Sequence, residues 1–144
     1  LGDVYKRQKY MDVSLMNNIE DYFFSESHIW LEEQGDGIFT LGITEHAQNS
    51  LGDIVFVELP AEGQQFAAGE GCAVIESVKS ASDVIMPISG EVIAINQQLV
   101  EMPELINQEP FNNGWIVRFR SEVPYEEIAA ELMSAADYEA FLDQ

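Results

Sequence analysis

Cys72-Ala73-Val74-Ile75-Glu76-Ser77-Val78-Lys79-Ser80-Ala81-Ser82-Asp83-Val84-Ile85-Met86-Pro87 decides how the chain is read. Two apolar, β-branched runs flank a short polar segment, the pattern of two strands joined by a tight turn. The turn carries one cation, Lys79, and a turn at that place holds the ammonium away from the sheet. A lone lysine at a turn is ordinarily a solvated charge. Here it stands out, because from Met11 to Gln144 the only basic residues are Lys79, Arg118 and Arg120. A lysine amine on its long flexible stem is also the natural acceptor for an amide-linked arm. Lys79 is therefore the candidate modification site.

Working outward, residues 22–30 are rich in aromatics and read as an edge strand or an extended arm on the core. Residues 32–37 are polar and end in Gly35-Asp36-Gly37, a hairpin signal. Ile38–Ile43 reads as the returning strand. Thr44 is placed to cap a helix over Glu45–Leu51, with Gly52 just past its end. Residues 54–59 form a strand closed by Pro60, and residues 96–106 a loop with a helical turn broken by Pro103. After the lysine hairpin, Pro87 and Gly90 split the run into two short strands. In residues 114–120, alternation places Arg118 and Arg120 on one face and Val117 and Phe119 on the other. The tail over residues 124–142 is helical, with Ile128, Leu132 and Met133 on one stripe. Ser134 begins a second helix that carries Tyr138, Phe141 and Leu142. Short strands with turn signals and terminal helices give a mainly β fold, a sandwich or flattened barrel with short helices and a helical C-terminus.

The chain has 144 residues and is 47% apolar, enough for one domain with one core. Its formal net charge is −20; setting aside residues 1–10 leaves 3 bases against 25 acids, or −22. Phosphate binding needs clustered cations, so a nucleic-acid partner is excluded, and an anionic membrane surface is disfavoured on the same ground. Such acidity favours solubility and steers a protein toward basic patches on partners. Residues 1–15 carry half of the bases and do not fit the rest. They are expected to be a non-native or disordered leader, with translation starting at Met11 or Met16 and the domain spanning residues 16–144. The single Cys72 sits in an apolar run and reads as a small core residue in a reducing compartment. Trp30 and Trp115 read as core. His28 and His46 lack Cys or His partners at ligand spacing, and no catalytic triad, phosphate loop or metal set is present.

The segment from Glu76 to Asp83 resembles the lipoyl-attachment segment of the glycine cleavage system H protein. A biotin carrier would place Met on both sides of the lysine, where this chain has Val78 and Ser80. The resemblance extends to Ser27-His28-Ile29-Trp30, Gly42-Ile43-Thr44-Glu45-His46-Ala47-Gln48, the run from Leu51 to Pro60, Pro87-Ile88-Ser89-Gly90-Glu91-Val92 and Asn112-Asn113-Gly114-Trp115, in family order. It implies the sandwich fold of lipoyl and biotinyl carriers and a non-catalytic carrier with lipoate on Lys79. The aminomethyl group of glycine would be loaded by the glycine decarboxylase. It would be unloaded by the tetrahydrofolate-dependent aminomethyltransferase, and dihydrolipoamide dehydrogenase would reoxidise the dithiol. A lipoate ligase or lipoyl transferase would attach the arm. By the same resemblance, Ser27 and Asp83 would help hold the loaded amine in a cleft. The family reads His-Glu-Trp where this chain has His28-Ile29-Trp30, so one acid of that cleft is missing: either protection of the loaded intermediate is weaker here, or Glu26 or another nearby acid substitutes. A monomer in the cytoplasm is expected. The rival readings are an H-like lipoyl relay for 2-oxoacid dehydrogenases and an unmodified interaction module.

Overall fold

The computed structural model describes residues 19–143; the expected leader and both candidate starts lie outside these residues. Nine strands and five short α-helices are present among the described residues, preceded by a single 3-10 turn over Ile19–Asp21. β1 (Tyr22–Phe24), β2 (Ile29–Gly35) and β3 (Ile38–Ile43) form an antiparallel meander. Helix α1 (Glu45–Leu51) leads to β4 (Ile54–Glu58), then β5 (Gln65–Phe66), β6 (Gly71–Ser77), β7 (Ala81–Ile85) and β8 (Gly90–Ile95). Helices α2 (Gln98–Glu101) and α3 (Leu105–Gln108) precede β9 (Val117–Arg120), and α4 (Tyr125–Glu131) and α5 (Ala135–Leu142) close the chain. All pairings are antiparallel, giving a six-stranded sheet in the order β1-β2-β3-β9-β8-β5 and a three-stranded sheet β4-β6-β7. The mainly β sandwich with a helical C-terminus is as the sequence predicts.

Alternation sorts the apolar residues into two clusters. Phe23, Ile29, Leu31, Phe39, Leu41, Val117 and Phe119 of the large sheet meet Ile54, Val57, Ile75, Val84 and Met86 in the main core. The out-of-phase residues Tyr22, Phe24 and Trp30 point the other way and are covered by Tyr138 and Ala135 of α5, with Phe111 and Trp115 packed against them. Trp30 fits there because its cross-strand partner is Gly42: a Cβ at that position would stand 2.6 Å from the indole ring. The indole Nε1 donates to the Pro110 carbonyl at 3.0 Å.

Four expectations need correction. Residues 22–30 are not one strand. The chain reverses over Ser25–His28, with His28 at φ +64° and its N–H donating to the Ser25 carbonyl at 3.0 Å. Residues 32–34 belong to β2 rather than to the turn, which is confined to Asp36-Gly37; they are polar because their end of the hairpin is solvated. Leu132 and Met133 lie beyond α4, and Met133 bridges Phe24 in an isolated antiparallel pair, tying the C-terminal segment to the sheet edge. Trp115 is also half-buried rather than core, with the Arg118 guanidinium 4.5 Å from its ring centroid.

Candidate functional site

Lys79 sits at the exposed tip of the β6–β7 hairpin, where Ser77 holds the turn closed. The Ser77 N–H donates to the Ser80 carbonyl at 2.8 Å, and the Ser77 hydroxyl donates to the same carbonyl at 3.1 Å. That hydroxyl oxygen accepts from the Lys79 and Ser80 N–H groups, each at 3.1 Å. A small hydroxyl side chain at this position thus replaces the glycine a tight turn often needs. The Val78 N–H donates to the Asp53 carbonyl at 3.0 Å, anchoring the hairpin to the loop before β4.

The lysine stem lies over Gly52, the residue that ends α1. A Cβ there would be 3.4 Å from Lys79 Cε and 3.8 Å from Nζ. Gly52 takes φ +82° and its N–H donates to the Gln48 carbonyl at 3.0 Å, closing the helix as the sequence predicts. Asn107 of α3 secures this floor. Its amide donates to the Gly52 carbonyl at 3.0 Å and to Gln48 Oε1 at 2.9 Å, and its oxygen accepts from the Ile54 N–H at 2.9 Å. Lys79 therefore leaves a fixed platform, while its ammonium remains in solvent.

At the opposite end of α1, roughly 10 Å away by helical rise, is a cluster that the sequence reading missed. The Thr44 hydroxyl caps α1 by accepting from the Ala47 N–H at 3.3 Å, and it lies 2.8 Å from the Tyr138 hydroxyl. His28 Nδ1 is 2.7 Å from the same Tyr138 hydroxyl, and the His28 and His46 rings stack with centroids 4.3 Å apart. Burial, and then the neighbouring His46, push the His28 pKa down; burial does the same to His46. Burial pushes the Tyr138 hydroxyl up to about 12. Both shifts favour the neutral form of the imidazoles. The signal that could have found it is the β2–β3 register, which pairs Ile29 with Ile43 and so brings residue 28 beside the start of α1.

Ser27 is exposed in the β1–β2 turn beside His28, so α1 runs between it and Lys79. Asp83 lies on β7 opposite Val74, packed beside Gly71, and faces an open groove of about 260 Å³ lined also by Glu58, Pro60, Gln64 and Cys72. The fold places Lys79 and Asp83 on one hairpin of the small sheet and Ser27 on the large sheet. Ile29 is only 2% exposed and belongs to the main core, so its position presents no acid to any cleft. Glu26, the nearby acid, is exposed in the turn. Cys72 is buried, with its thiol pushed up to about 12 by desolvation, which suits a core residue rather than a nucleophile. Among the described residues no group of three or more His, Cys, Asp or Glu is placed to hold a metal ion. No helix among them is long and apolar enough to cross a membrane.

The sequence model of the family described as "Glycine cleavage H-protein" matches residues 22–144. The chain is 50% identical over 120 residues to the glycine cleavage system H protein of Klebsiella pneumoniae, covering 83% of this chain and 92% of that one. It is 48% identical over 129 residues to the protein of the same name from Cronobacter sakazakii, covering 89% of this chain and 98% of the relative. Its fold superposes on the crystal structure of the glycine cleavage system H protein from Mycobacterium marinum with a TM-score of 0.77. The identity there is 32%, over 86% of this chain and 98% of that one. The hairpin that carries Lys79 lies within the matched span, as do α1 and α5, and the chain belongs to the glycine cleavage H-protein family.

Proposed function

We propose that Lys79 carries the lipoyl group with which this family member serves glycine cleavage, and that the chain is a carrier rather than an enzyme. One observation carries the reading: the only lysine among the described residues stands in solvent at the tip of a locked hairpin. The site fits an amide-linked arm. The amine is accessible, its stem rests on Gly52 without a side chain in the way, and the turn holds its direction. When attached, the dithiolane supplies the disulfide chemistry that takes up and gives back an aminomethyl group.

Attachment itself is an acyl transfer. Lys79 Nζ forms an amide with the acyl carbon of an activated donor such as a lipoyl adenylate. The acyl–phosphate bond breaks, AMP leaves, and the ammonium gives up two protons. Once modified, Lys79 no longer carries charge, and tethering raises the arm's effective concentration at each partner site. The partners that the resemblance implies, glycine decarboxylase, aminomethyltransferase and dihydrolipoamide dehydrogenase, would then share one carrier. A cytoplasmic setting accords with a single unpaired cysteine.

Ser27 and Asp83 remain our assignment for holding the loaded amine. Asp83 supplies a carboxylate on the arm's own hairpin, and Ser27 an exposed hydroxyl beyond the far end of α1. A folded-back arm would run along α1 toward the His28–His46 pair, where burial disfavours positive charge on the imidazoles.

The test is intact mass with peptide mapping after co-expression with a lipoate ligase and supplied lipoate. A lipoyl-sized adduct confined to the Lys79 peptide, lost in Lys79→Arg, is the expected result. An unmodified Lys79 beside a control H protein modified in parallel would point instead to an interaction module.

A further inference from the structure

The lysine tip is bordered by an apolar surface that the fold does not use. Val55, Phe56 and Val78 expose 55%, 50% and 66% of their surface. The first two stand out together because β4 has a bulge between Ile54 and Phe56: Ile54 and Val57 turn inward, and the extra residue puts both intervening side chains outside. Val78 precedes Lys79 and is tied to Asp53, two residues before Val55. Helix α2 packs beside β4 and adds exposed Val100, with exposed Met102 directly after its end. Around these five lie exposed acids: Asp53, Glu58, Glu76 and Glu101. Isolated exposed apolar residues are ordinary, but a set on adjoining elements with a charged rim is the pattern of an interaction site.

We infer that this surface is the docking face for the enzyme that attaches the arm, and that the enzyme presents an apolar centre edged by Lys and Arg. The charge follows from complementarity, since Lys79 is the only cation on this hairpin and the rim is acidic. The choice of occupant follows from reach. Before modification, Lys79 Nζ stands at the end of a four-carbon stem, part of which lies against Gly52. An enzyme that takes this amine into its own site must therefore touch the surface immediately around the hairpin. After modification the reactive end stands much further out, and partners that use the arm are free to dock elsewhere. This inference rests on the carrier reading of Lys79.

The experiment compares the parent protein with Phe56→Ser/Met102→Ser and, separately, Val55→Ser/Val78→Ser, each unmodified at the start. Lipoyl uptake is followed by intact mass with a lipoate ligase, lipoate and ATP, and direct binding of ligase to the unmodified protein by calorimetry. All substituted side chains are exposed, and equal urea midpoints check that the fold is intact. The expected result is a tenfold or greater fall in kcat/KM for attachment, with a matching loss of binding. Protein modified to completion should support glycine decarboxylation within twofold of the parent. Glu76→Gln/Glu101→Gln should flatten the fall of attachment rate with added salt. Variants that keep pace with a lipoylated parent would overturn the docking face alone, and an equal loss in attachment and in decarboxylation would overturn the choice of occupant. A parent that takes up no lipoyl mass would overturn the carrier reading itself.

Discussion

The methylene stem of Lys79 rests on Gly52, close enough that a Cβ on the glycine would stand 3.4 Å from Lys79 Cε. The residue that stops α1 is thus also the floor under the Lys79 side chain. Gly52 takes φ +82° and ψ −159°, a region that only glycine enters freely and where an L side chain costs about 1–3 kcal/mol. Gly52→Ala should therefore lower stability by about that amount, read as a urea midpoint, while its methyl meets the lysine stem at van der Waals distance and leaves lipoyl attachment near the parent rate. A variant as stable as the parent would refute the backbone requirement at Gly52, and one modified much more slowly would show that the lysine stem needs the bare glycine beneath it.

Lys79→Arg should leave the unfolding midpoint within about 0.5 kcal/mol, because an exposed turn side chain contributes little to stability. It should abolish modification, since a guanidinium does not accept the amide. A destabilised variant would mean that the ammonium has a structural partner. Mass spectrometry and urea unfolding on the same sample decide both points.

Tyr138 is fully buried and its hydroxyl meets both His28 and Thr44, joining α5 to the β1–β2 turn and to the cap of α1. Tyr138→Phe keeps the ring that stacks on Phe24 at 4.8 Å but leaves two polar groups short of a partner. The expected cost is about 1–3 kcal/mol. A neutral substitution would show that water replaces the hydroxyl without loss.

The histidine pair makes stability depend on pH. Folding lowers the pKa of both His28 and His46, so the unfolded chain binds more protons as pH falls through the ordinary histidine value, about 6.5. Their contribution is complete above that value and is lost as pH falls toward the lowered folded values. Glu45, in the same helical turn, is shifted upward by burial and acts in the opposite sense in the carboxylate range. Urea midpoints between pH 8 and pH 5 should fall for the parent and fall less for His28→Gln/His46→Gln. Parallel curves for the two proteins would refute the effect.

Features of the site that depend on neighbours in sequence were legible. Thr44 and Gly52 bracket α1 by local capping chemistry, the β6–β7 hairpin follows from two β-branched runs, and Val117–Arg120 alternates as read. The misread places are those where a local signal was missing or the contact was distant. The Ser25–His28 turn contains neither Gly nor Pro and puts its positive φ on a histidine, so an aromatic run appeared continuous. The stacking of His28 on His46, and their link to Tyr138 110 residues from His28, depend on sheet register and on where α5 lands. The exposure of both Val55 and Phe56 depends on a bulge that no pattern of alternation signals.

The two tryptophans should behave differently, although the sequence suggested one role for both. Trp30 is 1% exposed, lies across Gly42, and donates to the Pro110 carbonyl. Trp30→Ala should cost about 3–5 kcal/mol, from lost burial and a cavity among Tyr22, Phe111 and α5. Trp115 is half-buried and its ring is faced by the Arg118 guanidinium. That contact contributes about 0.5–1 kcal/mol where solvent reaches it. With only part of the ring removed from water, Trp115→Ala should cost less than half of the Trp30 value. Urea unfolding of both variants decides the matter: equal losses would return Trp115 to the core, and a small loss for Trp30 would mean that the second cluster closes around the vacancy.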